Sequence, residues 1–169
     1  MQDLFLVLAL YKFITYSLIH QQPLWSHACM INPFMLLAAK TKLTPEEVTD
    51  IALPNLIWLD LLKENKADDA ICGQITRNLV ITQIIAADKQ SRALYDMSCI
   101  GIKAFMSAMI RKDERNMPFM ELSTPELKAV KKVLLSYGRI LPQLDLGSIN
   151  GATYRWLEIK HVFGGRDDE

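Results

Sequence analysis

Chemistry in a protein usually needs histidine, cysteine or carboxylate side chains held together, so those residues come first. His20, His27 and His161 are not spaced as a zinc pair. His27 stands two residues from Cys29, and that pair leaves half of a tetrahedral zinc shell unfilled. Cys29, Cys72 and Cys99 form no CxxC motif and no close pair, which argues against a disulfide framework and fits a reducing compartment. The thiols read as small apolar side chains inside helices, since a nucleophilic thiolate needs positive surroundings or a helix N-terminus. The chain has no phosphate-cradling P-loop, no GxGxxG, no HExxH and no GxSxG. No catalytic residue, cofactor or metal is expected.

The carboxylates have structural work to do. Glu46, Glu47 and Glu126 stand at expected helix starts, where free amides and the positive end of the helix dipole favour them. Asp60 differs, because it lies within an otherwise apolar stretch. Burial there would raise its pKa, whereas facing water or pairing with Lys63 would not. A helical enzyme centred on Asp60, or on Cys72 and Cys99, is the weaker alternative.

Binding is better represented than catalysis. In a helix over 125–141, Lys128, Lys131, Lys132 and Arg139 fall within roughly a third of the circumference, opposite an apolar seam. Such a stripe suits nucleic-acid phosphates or the acidic face of a partner, although solvated lysines are the ordinary content of a helix face. Arg155, Trp156, Lys160 and His161 could extend it, while a tryptophan there more commonly pins a terminal helix to the core. No helix-turn-helix is expected, because the stretch before the last helix is too long for that motif's turn. Residues 4–19, 56–62 and 79–85 are each apolar over more than one stripe, more than one small domain readily hides. Leu56, Ile57, Trp58 and Leu61 are therefore the candidate interface, for a protein partner or a second copy.

These side chains need helices to position them. Thr44-Pro45-Glu46-Glu47 has the form of a capping box and opens a helix that Pro54 interrupts, with a second piece over Asn55–Lys63. Asp68 or Asp69 caps a helix to about Asp88, although the β-branched density from Leu79 to Ile85 would also suit a strand. Ser91 begins a long helix ending in the charged run 111–115. Its face Leu94, Met97, Gly101, Ala104 and Ala108 has small residues that allow close approach. Pro118 sits in the loop that follows. Ser123-Thr124-Pro125-Glu126 opens the helix carrying Leu127, Val130, Leu134, Tyr137 and Leu141, and Pro142 stops it. Gly147 to Gly151 reads as a turn, Ala152 to Phe163 as a short helix, and residues 164–169 as a frayed tail.

The N-terminus has its own texture. Residues 4–19 are nearly continuously apolar, yet short for a membrane span and broken by Lys12. Asp3 stands where a secretory signal would be basic, and Ser26-His27-Ala28-Cys29 lacks the apolar residue of a lipoprotein site. The segment reads as a buried or interface helix, with membrane association the alternative. Met30 would serve as a start if residues 1–29 were an upstream extension.

The chain has 169 residues, 50% hydrophobic and 22% charged, with no net charge. That balance excludes disorder and a histone-like basic coat. Residues 1–88 carry six basic and nine acidic side chains, the remainder thirteen and ten, so the halves are weakly opposite in sign. No repeat and no linker divides the sequence. The expected architecture is all-α: a single helical bundle of about five to seven helices, with 1–29 as an apolar extension, 30–163 as the domain and 164–169 as the tail. The expected function is that of a small non-enzymatic cytoplasmic protein acting through protein–protein contact. Nucleic-acid regulation through the 125–141 face and membrane association through residues 4–19 are the alternatives.

Overall fold

The apolar run from Leu79 to Ile85 is helical and sits at the centre of the molecule. The computed structural model describes residues 40–163, with side chains to residue 159. The expectations for 1–29, for the 4–19 helix, for a start at Met30 and for the 164–169 tail lie outside the described residues. Those residues form five α-helices: α1 Pro45–Lys63, α2 Asp69–Asp88, α3 Arg92–Glu114, α4 Thr124–Ile140 and α5 Leu146–Phe163, with a 3₁₀ turn Leu141–Gln143 after α4. There is no β-strand among them, and one isolated bridge joins Lys42 to Asp145.

Helix α2 contacts all four other helices, and Asn78 through Gln83 are buried without interruption. A helix walled on every side must be apolar around its circumference, which accounts for its β-branched density without a strand. Its most extensive partner is α3, which in turn packs most heavily on α4. Gly101 explains the closeness of that second contact: a Cβ there would lie 2.5 Å from Val133 Cγ2. Two apolar clusters result. One is built around Phe105, Leu62, Ile75 and Val130, the other around Ile81, Ile85, Tyr137 and Leu141, and Ile84 and Trp156 touch both.

The caps follow the sequence closely. The Glu47 amide donates to Thr44 Oγ1 at 3.2 Å and the Thr44 amide to Glu47 Oε2 at 2.7 Å, a reciprocal box. The Ile71 amide donates to Asp68 Oδ1 at 2.8 Å, and Glu126 Oε2 accepts from the Ser123 amide at 2.8 Å. The C-termini use a device with no glycine in it. Asn65, Gln90 and Asn116 have φ of 54°, 53° and 48°. Each lets the next residue's amide reach back to close the last turn: Lys66 to Leu61 O, Ser91 to Ala86 O, and Met117 to Lys112 O.

Two boundaries differ from expectation. Pro54 does not divide α1, which continues through it. Proline removes an amide and crowds the preceding turn. Here Asn55 Nδ2 donates to Ile51 O at 3.3 Å, and Asn55 Oδ1 accepts from Asn78 Nδ2 at 2.8 Å. Asn55 thus supplies a donor at the weakened turn and fastens that turn to α2. The second difference is α5, which begins at Leu146 and takes Gly147 to Gly151 into the helix. Asp145 is the reason, because its Oδ1 accepts from the Ser148 amide at 2.7 Å. The Leu146 amide donates to Thr41 O at 2.9 Å, which anchors the first turn.

Candidate functional site

The outer face of α1 carries three of the large apolar side chains exposed among the described residues; Ile100, Phe119, Tyr154 and Leu157 are exposed elsewhere. Leu53, Leu56 and Ile57 are 50%, 47% and 52% exposed. Their spacing of three and four residues places them on one stripe. Trp58 and Leu61 point round the helix and pack against the core, so the four candidate interface residues divide into two outward and two inward. Glu46, Asp50 and Asp60, all exposed, occupy the same stripe at seven- and three-residue steps from Leu53. The face is thus apolar in the middle, acidic at its N-terminal end, and mixed at its C-terminal end, where exposed Lys63 follows Asp60. Asp60 makes no ion pair with Lys63.

The second exposed face is basic. Lys128, Lys131, Lys132 and Arg139 on α4 all face solvent, and none forms an ion pair among the described residues. Arg155 does not extend this stripe, because it is paired with Asp88 at the end of α2. Trp156 packs into both apolar clusters, and the side chains of Lys160 and His161 lie outside those described. Glu126 is turned to a different task. Arg111 Nη1 and Nη2 donate to its two carboxylate oxygens at 2.7 Å each, and the Ser123 hydroxyl donates at 2.7 Å. The Arg111 guanidinium holds the Glu126 carboxyl at about 2, helped by Ser123 and opposed by partial burial.

Of the described thiols, Cys72 is buried and Cys99 half-buried. Burial pushes the Cys72 thiol up to about 11, reinforced by the charge of Asp69. Cys72 therefore stays protonated and unreactive at neutral pH. Cys99 Sγ accepts from Gln83 Nε2 at 3.0 Å across the α2–α3 contact. Burial, and then Cys99 beside it, push the Tyr95 phenol up to about 12. Cys29, His20 and His27 lie outside the described residues. Among the described residues no three histidine, cysteine or acidic side chains gather closely enough to hold a metal ion. Helices α2 and α3 are both long and apolar enough to cross a membrane by length and composition; 56% of α2's apolar window is buried and 28% of α3's.

A cleft that sequence reasoning missed opens between α1, α2, α4 and α5, with a volume of about 260 Å³. Its polar lining is Asp50, Arg77, Asn78, Tyr137 and Thr153, and its apolar walls include Pro54, Trp58 and Ile149. Tyr137 is 2% exposed. Burial pushes its phenol above the ordinary range, and the nearby positive charge of Arg77 opposes that rise. The one sequence signal was that Tyr137 is the polar-tipped member of an otherwise aliphatic seam. Among known proteins the chain matches no family model, no curated sequence and no solved structure.

Proposed function

We propose that the protein is a non-enzymatic helical adaptor or regulator, a single bundle that works by binding another protein through the outer stripe of α1. The observation that carries this reading is the stripe itself. Leu53, Leu56 and Ile57 keep about half their surface in water although each belongs to the most buried residue types. The acidic N-terminal end of the stripe, with Glu46 and Asp50, gives the partner its chemistry: an amphipathic segment with an apolar centre and lysine or arginine on the flank that meets it. Unpaired thiols at Cys72 and Cys99 fit a reducing, cytoplasmic setting.

Site-directed photo-crosslinking in the native host tests the reading. A photoreactive residue replacing Ile57 should give one discrete adduct, lost when Leu53→Asp is added to the same chain. The adduct's partner should carry the basic-flanked apolar segment described above. Absence of an adduct at Ile57, or the same adducts from a photoreactive residue replacing Lys131, would overturn the assignment to α1.

The exposed and unpaired Lys128, Lys131, Lys132 and Arg139 favour a second reading, nucleic-acid binding. Phosphate contacts release counterions, so that reading requires gel-shift affinity to fall steeply with salt and to collapse in Lys132→Glu.

A further inference from the structure

The cleft between α1, α2, α4 and α5 presents a hydroxyl with no partner among the described residues. Every side-chain nitrogen or oxygen that is fully enclosed has a hydrogen-bond partner among the described residues. Tyr137 is 2% exposed, and no described residue donates to or accepts from its hydroxyl. Its oxygen is therefore not sealed in the core but meets the open space of the cleft that Tyr137 lines. Arg77 lines the same space, is half-buried, and forms neither an ion pair nor a hydrogen bond with any described residue. A half-buried guanidinium without a counter-ion is unusual, because the forked donor is the side chain best matched to a carboxylate.

Two further features narrow the ligand. Asn78 is held by Asn55, so this wall of the cleft is fixed in place before anything binds. Trp58, Pro54 and Ile149 give the same space an apolar lining suited to an apolar body. Asp50 shares the lining, so the formal charges of Arg77 and Asp50 cancel. A dianion such as a phosphate monoester loses more hydration on entry than a monoanion, and a lining that is neutral in sum returns no net attraction for the second charge. The volume of about 260 Å³ gives room for a single ring with a short acidic arm.

We propose that this cleft binds a small organic monocarboxylate with an apolar ring, its carboxylate on Arg77 and the Tyr137 hydroxyl and its ring against Trp58. The site shares only Asp50 with the outer stripe of α1 and stands whether or not that stripe binds a partner. Phenylacetate is the probe, with phenylacetamide as its neutral counterpart and phenyl phosphate as the dianion. The full chain is titrated with each and followed by two-dimensional NMR. Phenylacetate should bind saturably with Kd of about 1 mM or tighter. The shifts should centre on the Trp58 indole, the Asn78 side-chain amide and Thr153. Phenylacetamide and the variant R77Q should each lose about tenfold in affinity, the worth of one charge-assisted pair. Y137F removes only the oxygen and should lose a few-fold; it carries the test if R77Q does not fold. Equal binding of acid and amide, unchanged affinity in both variants, tighter binding of phenyl phosphate, or shifts away from the cleft would overturn the proposal. So would the absence of saturable binding.

Discussion

Glu126 does two jobs with one carboxylate, closing the first turn of α4 and anchoring Arg111 from α3. With its carboxyl at about 2, below the ordinary 4.5, the group contributes stability that is fully present above pH 4.5 and is lost as pH falls toward 2. Arg111 is 33% exposed, so solvent screens part of the pair. Glu126→Gln should therefore cost about 1.5–3 kcal/mol in urea denaturation at pH 7, the range for hydrogen bonds to charged groups. The gap between variant and wild type should close through the acid window between pH 4.5 and 2. Gln90 is the opposite case. It holds φ of 53° with an ordinary side chain, where left-handed backbone is unfavourable for L-residues. Gln90→Gly should raise stability by about 0.5–1 kcal/mol, with a smaller gain at Asn65 or Asn116 because asparagine tolerates this region better.

Between elements, the contact of α3 with α4 depends on an absent side chain. Val133 is wholly buried and branched, so it has little freedom to yield to a Cβ at Gly101. Gly101→Ala should destabilise by about 1–3 kcal/mol, an overpacking cost. Adding Val133→Ala should recover part of it, a coupling that a double-mutant cycle measures. The helix starts at Pro45, Asp69 and Thr124 were legible because each is written within four residues: a capping side chain and an acid, with a proline as well at the first and third. The continuity of α1 was not, because Asn55 is fastened by Asn78, twenty-three positions along the chain. The early start of α5 was hidden in the same way. Its two glycines argue locally for a turn, but Asp145 and the carbonyl of Thr41 impose the helix.

Across the whole molecule, surface and core should respond oppositely to substitution. Leu56→Asp, on the outward stripe, should change stability by no more than about 0.5 kcal/mol. Leu62→Ala, two turns along and 1% exposed, should cost about 2–5 kcal/mol. Thermal and urea denaturation of the two variants checks both. Sequence alone marked 56–62 as over-supplied with apolar residues but could not assign sides, since Trp58 and Leu61 differ from Leu56 and Ile57 only in which neighbours the fold brings. The cleft was less legible still. Asp50, Arg77, Tyr137 and Thr153 come from four helices, and no spacing along the chain connects them.

The chain just upstream of α1 is knotted to the opening of α5 through Thr41, Lys42, Asp145 and Leu146. Tension on the polypeptide ahead of residue 40 would thus be delivered to the far end of the sequence before it reached the helix next door. Ile149 and Thr153, which wall the cleft, ride on the first turns of the element that receives it.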